Sequence, residues 1–168
     1  MQTAPRRSNC NLVQEVEFQV ESERETARIA GRLAAALRPG DVVGLCGDLG
    51  AGKTFFASAV ARALGVPDDA GVSSPSFTIV NHYDGGRLPL DHLDLYRLED
   101  PGELYELGLW EIYDGEGACL VEWCDRFDDL WPEEALVIRI ELGQGERRRL
   151  VASGRGRGAR LVEALRSA

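Results

Sequence analysis

Lysine is almost missing from this chain. Of 19 basic residues among 168, Lys53 is the single lysine and the others are arginine. Long apolar runs are missing as well. None approaches the ~20 residues a membrane-spanning helix requires, so no membrane partner is expected. Arg6 and Arg7 are followed by no apolar core, so the N-terminus does not read as a secretory signal and the cytoplasm is the expected compartment. The four cysteines, Cys10, Cys46, Cys119 and Cys124, form no C-x-x-C pair, and there are two histidines. Both facts argue against a zinc site. Cys46 and Cys119 lie in apolar runs and read as small buried hydrophobes. Repeats and long linkers are also missing, so residues 1–168 read as one domain large enough to bury a core.

The net charge of −9 is unevenly spread. Residues 66–134 carry 18 acids and three arginines, whereas residues 135–168 carry eight arginines and three acids. The acidic middle argues against a broad nucleic-acid surface. It reads either as a face for a basic partner or as a solvated, solubilising surface.

What is present is a phosphate-binding motif. Gly47-Asp48-Leu49-Gly50-Ala51-Gly52-Lys53-Thr54 fits G-x-x-x-x-G-K-[ST], the P-loop. A composition that otherwise excludes lysine keeps one where a triphosphate needs it. The motif works because successive backbone N–H groups converge on phosphate oxygens at the positive end of a helix. Lys53 supplies a point charge to the β- and γ-phosphates, and the Thr54 hydroxyl can reach Mg²⁺. The context agrees. An apolar strand over 42–46 precedes the motif, and a helical pattern from Lys53 to Leu64, stopped at Gly65, follows it. No N-K-x-D guanine motif occurs, which favours ATP over GTP.

A P-loop needs a further carboxylate on its metal side, usually at the tip of a neighbouring apolar strand. Ala118-Cys119-Leu120-Val121-Glu122 has that form, and Asp94 is a second candidate. Either could hold Mg²⁺ through water or polarise the attacking water. Each also fits a plain surface acid at a strand end, more readily for Asp94. The hydroxyls of Ser73-Ser74-Pro75-Ser76-Phe77-Thr78 could sense a γ-phosphate, as a switch segment does. The same residues also make an ordinary Ser/Pro turn.

Elsewhere, Val13, Val16, Phe18 and Val20 mark a first strand, and Ser22-Glu23-Arg24-Glu25 is a capping box opening a helix. Strands over 77–83 and 88–96 around Asp84-Gly85-Gly86 suggest a hairpin. Asp100-Pro101 opens a short helix closed near Gly108. Strands over 136–142 and 149–152 form a second hairpin, and 159–167 a terminal helix. The expected fold is α/β, with a central sheet partly parallel and partly antiparallel.

These segments in this order resemble the TsaE (YjeE) family, the small bacterial ATPases of tRNA threonylcarbamoyladenosine synthesis. The matching pieces are the P-loop, Ser74-Pro75-Ser76-Phe77-Thr78, His92-Leu93-Asp94-Leu95-Tyr96-Arg97 and Leu120-Val121-Glu122-Trp123, with Asp100 through Gly108 matching the helix that follows D-x-Y-R. The P-loop alone is common to many families; the four segments together are specific. The match spans roughly residues 13–153. It implies a P-loop α/β domain that binds ATP through Asp48, Leu49, Gly50, Ala51, Gly52, Lys53, Thr54 and Phe55. Thr54, Glu122 and Asp94 would lie at Mg²⁺, and Lys53, Asp94 and Glu122 would serve hydrolysis. Ser76 and Thr78 would form a switch-like loop, and Trp123 would lie near the nucleotide. Thr26 and one arginine of the 147–149 run, assigned as Arg148, would contact the adenine side.

It also implies partners: a TsaB–TsaD assembly that transfers a threonylcarbamoyl group to adenosine 37 of tRNAs reading ANN codons, so that tRNA is met indirectly. Two departures stand out. Ser76 replaces a common threonine, keeping the hydroxyl, and Cys124 replaces a common proline after E-W, which suggests an exposed thiol. Gly154-Arg155-Gly156-Arg157-Gly158 falls outside the match and reads as a flexible turn, or as a contact for RNA phosphates. Two rival functions share the P-loop: a small-molecule kinase with the late arginines as its lid, and a nucleotide-dependent binding module without useful hydrolysis.

Overall fold

Val42–Cys46 is buried at every position, as only a strand covered on both faces can be. In the computed structural model, which describes residues 13–127 and 131–167, this strand lies at the centre of the sheet. Met1–Asn11 and Cys10 lie outside the described residues. In chain order the elements are β1 (Gln14–Val20), α1 (Glu23–Ala36), β2 (Val42–Cys46), α2 (Lys53–Leu64), β3 (Val80–Tyr83), β4 (Leu90–Asp94), α3 (Gly102–Glu106), α4 (Leu109–Tyr113), β5 (Ala118–Glu122), β6 (Leu136–Leu142), β7 (Arg148–Gly154) and α5 (Gly156–Arg166). The seven strands run in the order β1-β7-β6-β2-β5-β4-β3. The inner four, β6, β2, β5 and β4, are mutually parallel. The edges are antiparallel additions: β7 and β1 on one side, β3 on the other. The mixed α/β sheet expected from the sequence is the one found.

Two apolar layers cover the sheet. One joins α1, α2 and α5 to Val43, Leu45, Leu90, Ala118 and Leu120. The other packs α3 and α4 on Val42, Cys46, Leu93, Cys119 and Val121. Alternation along the strands fixes which side chains share a face. Leu90, His92 and Asp94 of β4 fall on the α2 side, as do Ala118, Leu120 and Glu122 of β5. Among the described residues no helix is long and apolar enough to cross a membrane.

Several boundaries differ from the sequence expectations, each for a local reason. The strand expected from 77 begins at Val80, because the Ile79 N–H turns back to the Pro75 carbonyl at 2.6 Å and Ile79 adopts φ 66°. The strand expected to reach 96 stops at Asp94, whose Oδ1 accepts the Tyr96 N–H at 2.9 Å and folds the chain into a turn. At the first helix Ser22 accepts the Glu25 N–H as predicted, but Glu25 reaches back to the N–H of Glu21 rather than of Ser22. The fourth helix, α4, has no sequence signal of its own beyond Gly108, whose φ of 70° separates it from α3.

The Gly154–Gly158 stretch is ordered by packing. A Cβ on Gly158 would lie 2.5 Å from the Ala135 carbonyl oxygen, so α5 can approach β6 only through glycine. Arg157 donates to the Gly40 carbonyl at 2.9 Å, and Arg155 meets Glu133. Each arginine has a partner within the protein, and both side chains stay about half exposed. Cys124 is also not the exposed thiol expected. It is buried in the second apolar layer, where a hydrogen bond with Cys46 and then desolvation hold its thiol far above the usual range.

Candidate functional site

The site forms where the parallel strands end. Strand register pairs Leu45 with Glu122 and Asp94 with Glu122, so the P-loop, Glu122 and Asp94 emerge side by side from neighbouring strands. Carboxyl ends of parallel strands are where ligands sit in open α/β sheets. A cleft of about 380 Å³ opens there, bounded by Gly50, Lys53 and Thr54 on one wall and by Ser76, Asp94 and Glu122 on the other.

The loop needs its first glycine. Gly47 has φ 136°, and a Cβ there would lie 2.1 Å from the Ile140 carbonyl oxygen. Gly52, at φ 109°, turns the chain into α2, which starts without any side-chain cap. The first-turn N–H groups of α2 are therefore left for another acceptor. Lys53 is buried and folds back on its own loop, donating to the Gly47 carbonyl at 2.7 Å and the Asp48 carbonyl at 2.9 Å. Its Nζ lies 3.6 Å from the centre of the Trp123 ring. Burial lowers its pKa, opposed by Glu122, Asp125, Asp94 and Asp48.

The carboxylates are tied in. Glu122 is buried, and its Oε2 accepts from the Thr54 hydroxyl at 2.9 Å. Its Oε1 lies 2.8 Å from His92 Nε2. Asp94 is also buried and accepts from the Ser74 hydroxyl through Oδ2 and from the Tyr96 N–H through Oδ1. Two carboxylates beside a hydroxyl make an all-oxygen donor set, suited to a hard cation such as Mg²⁺. Among the described residues no group of three His, Cys, Asp or Glu forms a metal cage.

The remaining predicted residues divide. Leu49, Phe55 and Trp123 line the cleft, and Trp123 holds a left-handed backbone at φ 60° with its ring 4.9 Å from that of Tyr96. Thr26, Ala51 and Arg148 line a smaller hollow of about 60 Å³ behind the loop, which Gly52 and Phe55 share with the cleft. Arg148 is the arginine of its run that faces the loop, donating to the Ala51 carbonyl at 3.1 Å. Arg147 pairs with Glu21, and Arg149 with Glu17 and Glu141. Asp48 offers its carbonyl to Lys53, while the residue borders a separate depression with Arg139. Thr78 is not brought into the cleft. The turn at Ile79 leaves it exposed, donating to Asn81 Oδ1 at 2.9 Å. The hydroxyls of that segment that line the cleft are those of Ser74 and Ser76. His92, Tyr96 and Arg97 receive no role from sequence, although each lies inside a segment that matches the family.

The family model for the threonylcarbamoyl adenosine biosynthesis protein TsaE matches residues 20–150. The chain belongs to the TsaE family. A TsaE from Bacillus subtilis (strain 168), named as a tRNA threonylcarbamoyladenosine biosynthesis protein, is 41% identical over 144 residues, covering 86% of this chain and 89% of its own. A TsaE of the same description from Treponema pallidum (strain Nichols) is 37% identical over 132 residues, covering 78% and 96%. The crystal structure of Bacillus subtilis YdiB superposes with a TM-score of 0.77 at 36% identity, covering 93% of this chain and 97% of that one. The family resemblance and the P-loop α/β fold expected from the sequence are therefore both found. The TsaE family serves tRNA threonylcarbamoyladenosine biosynthesis, and this chain is one of its members.

Proposed function

We propose that this protein binds ATP with Mg²⁺ in the cleft at the head of α2 and hydrolyses it slowly, in support of a TsaB–TsaD enzyme that modifies adenosine 37 of tRNAs reading ANN codons. The observation that carries the reading is the contact between Thr54 and Glu122, beside Lys53 and Asp94. Residues 68 apart in sequence meet there as a hydroxyl and a carboxylate with a lysine next to them. Chance turns do not bring that set together.

Thr54, Glu122 and Asp94 would hold the Mg²⁺ ion. The ion, when bound, would neutralise phosphate charge and polarise the transferred group. Lys53 would exchange its loop carbonyls for phosphate oxygens, and the uncapped start of α2 would supply N–H groups. Asp94 would orient the attacking water. Ser74 and Ser76 would report the γ-phosphate, because Ser74 already bonds Asp94. Thr26 and Arg148 would border the base. Trp123 would cover the lysine and keep water from it. Binding would favour assembly with the partner and hydrolysis would reset it, a population shift driven by differential affinity. The protein would act in the cytoplasm, reaching tRNA only through the complex.

The test is multiple-turnover tRNA modification by TsaB–TsaD supplied with Lys53→Ala or Glu122→Ala protein. Both variants are expected to fail. Full activity from either would remove the ATP-switch reading.

A further inference from the structure

Glu122 is held from two sides, and one of them is not part of the cleft. Thr54 donates to Oε2 from the cleft wall. His92 meets Oε1 from beneath, 2.8 Å away, with its side chain 0% exposed. Strand register explains the placement. β4 and β5 run parallel with His92 beside Leu120 and Asp94 beside Glu122, so His92 sits one same-face step below the carboxylates. It does not line the cleft and cannot touch a ligand there.

The other imidazole nitrogen gives the hydrogen-bond direction. His92 Nδ1 is buried and has no hydrogen-bond partner among the described residues. A hydrogen bond to a carboxylate oxygen needs a donor, and the imidazole nitrogen facing Glu122 is Nε2, which points to the Nε2–H tautomer. In the other tautomer the Nδ1–H would be a buried donor with no acceptor, whereas a bare lone pair is the smaller loss. A histidine kept only for packing would be expected to satisfy both nitrogens or to be replaced by an apolar residue. This one accepts an unsatisfied nitrogen and makes one polar contact, to Glu122.

We propose that His92 is a positioning residue for Glu122, fixing one carboxylate oxygen so that the other stays beside the Thr54 hydroxyl where a divalent cation would be taken up. This rests on the ATP and Mg²⁺ reading above. Residues behind a metal ligand orient it, and their loss typically costs 10–100-fold in metal affinity or activity.

Two measurements test it. The first is the ¹⁵N spectrum of the imidazoles in the wild-type chain, which has two histidines, with the His82 signals removed in a His82→Asn variant. The expected result is the Nε2–H tautomer for His92; the Nδ1–H tautomer would overturn the proposal. The second is nucleotide binding by calorimetry across a Mg²⁺ titration, for wild type, His92→Leu and His92→Gln. His92→Leu should need roughly 10–100-fold more Mg²⁺ while binding nucleotide without metal as wild type does. His92→Gln, which keeps a side-chain N–H, should fall between. An unchanged Mg²⁺ requirement in His92→Leu would overturn the proposal. So would an equal loss of metal-free binding, or a glutamine variant no better than leucine. If His92→Leu fails to fold, the glutamine variant and the tautomer decide. A wild-type chain without Mg²⁺-dependent binding would remove the ATP reading and this role with it, while the tautomer would still report the hydrogen bond separately.

Discussion

Replacing Glu122 by glutamine and by alanine should separate its part in folding from its part in chemistry. The carboxylate is 2% exposed and accepts two hydrogen bonds, from Thr54 and from His92. Hydrogen bonds to a charged group contribute about 1.5–3 kcal/mol each. Alanine removes both and leaves His92 with neither nitrogen paired. Water can enter from the cleft side, which brings the expected loss to about 3 kcal/mol. For a chain of this size that is a fall in Tm of roughly 6–12 °C. Glutamine keeps the shape. Its carbonyl oxygen can accept from His92, and its amide can donate to the Thr54 hydroxyl, which also accepts. Only the charge assistance is lost, about 1 kcal/mol, or roughly 2–4 °C.

Hydrolysis should not follow stability. Glutamine carries no charge toward a cation, so both variants should lose about 10²-fold or more in ATP turnover. Thermal unfolding and phosphate release, measured on the same preparations, make the comparison. A glutamine variant as unstable as alanine would refute the two-bond account of Glu122. A glutamine variant with normal turnover would refute its place at the metal.

Lys53→Ala should abolish nucleotide binding in calorimetry while shifting Tm little, because burial already disfavours the lysine charge. Gly47→Ala should cost about 2–4 kcal/mol in chemical denaturation, since φ 136° and the nearby Ile140 carbonyl both oppose a Cβ. His82 gives a pH dependence. Its pKa is raised, first by the hydrogen bond to Asp91, with burial opposing, then by the charges of Asp91 and Asp84. A raised folded pKa stabilises fully below the ordinary value of about 6.5 and is lost as pH rises through the folded value. Wild type should therefore exceed Asp91→Asn in Tm by more at pH 5.5 than at pH 8.5. An equal difference at both pH values would refute it.

The phosphate loop could be read from sequence because its geometry is local. Glycine spacing, the following helix and the preceding apolar strand all lie within residues 42–65. The tip of β5 could be read too, since an apolar run ending in an acid has one reasonable place in a buried sheet. Thr78 lies off the cleft because the turn at Ile79 depends on a bond to the Pro75 carbonyl that strand propensity does not register. The burial of Cys124 is hidden from sequence for a similar reason: it comes from α3, α4 and Trp131 closing over the second face, which no local pattern records. Sequence points to Asp94 but not to His92 two residues before it. Alternation along β4 could have placed the two on one face, but only the parallel register with β5 reveals that His92 lies against Glu122.

That distinction bears on the single lysine. Arginine serves every other basic position, including Arg160, which meets the buried Asp41, and Arg87, which caps the carbonyls at the end of α1. A planar fork suits those fixed acceptors. On the proposed ATP reading, the cation at position 53 would leave two loop carbonyls, beside the Trp123 ring, to meet a phosphate. A compact ammonium on a flexible stem can make that exchange inside a buried loop, and a guanidinium cannot turn there without breaking its planar contacts. Lys53→Arg should therefore fold, judged by an unchanged thermal transition, and still fail to bind nucleotide. Normal binding by that variant would mean that charge alone, rather than the shape and mobility of the lysine, is what the loop requires.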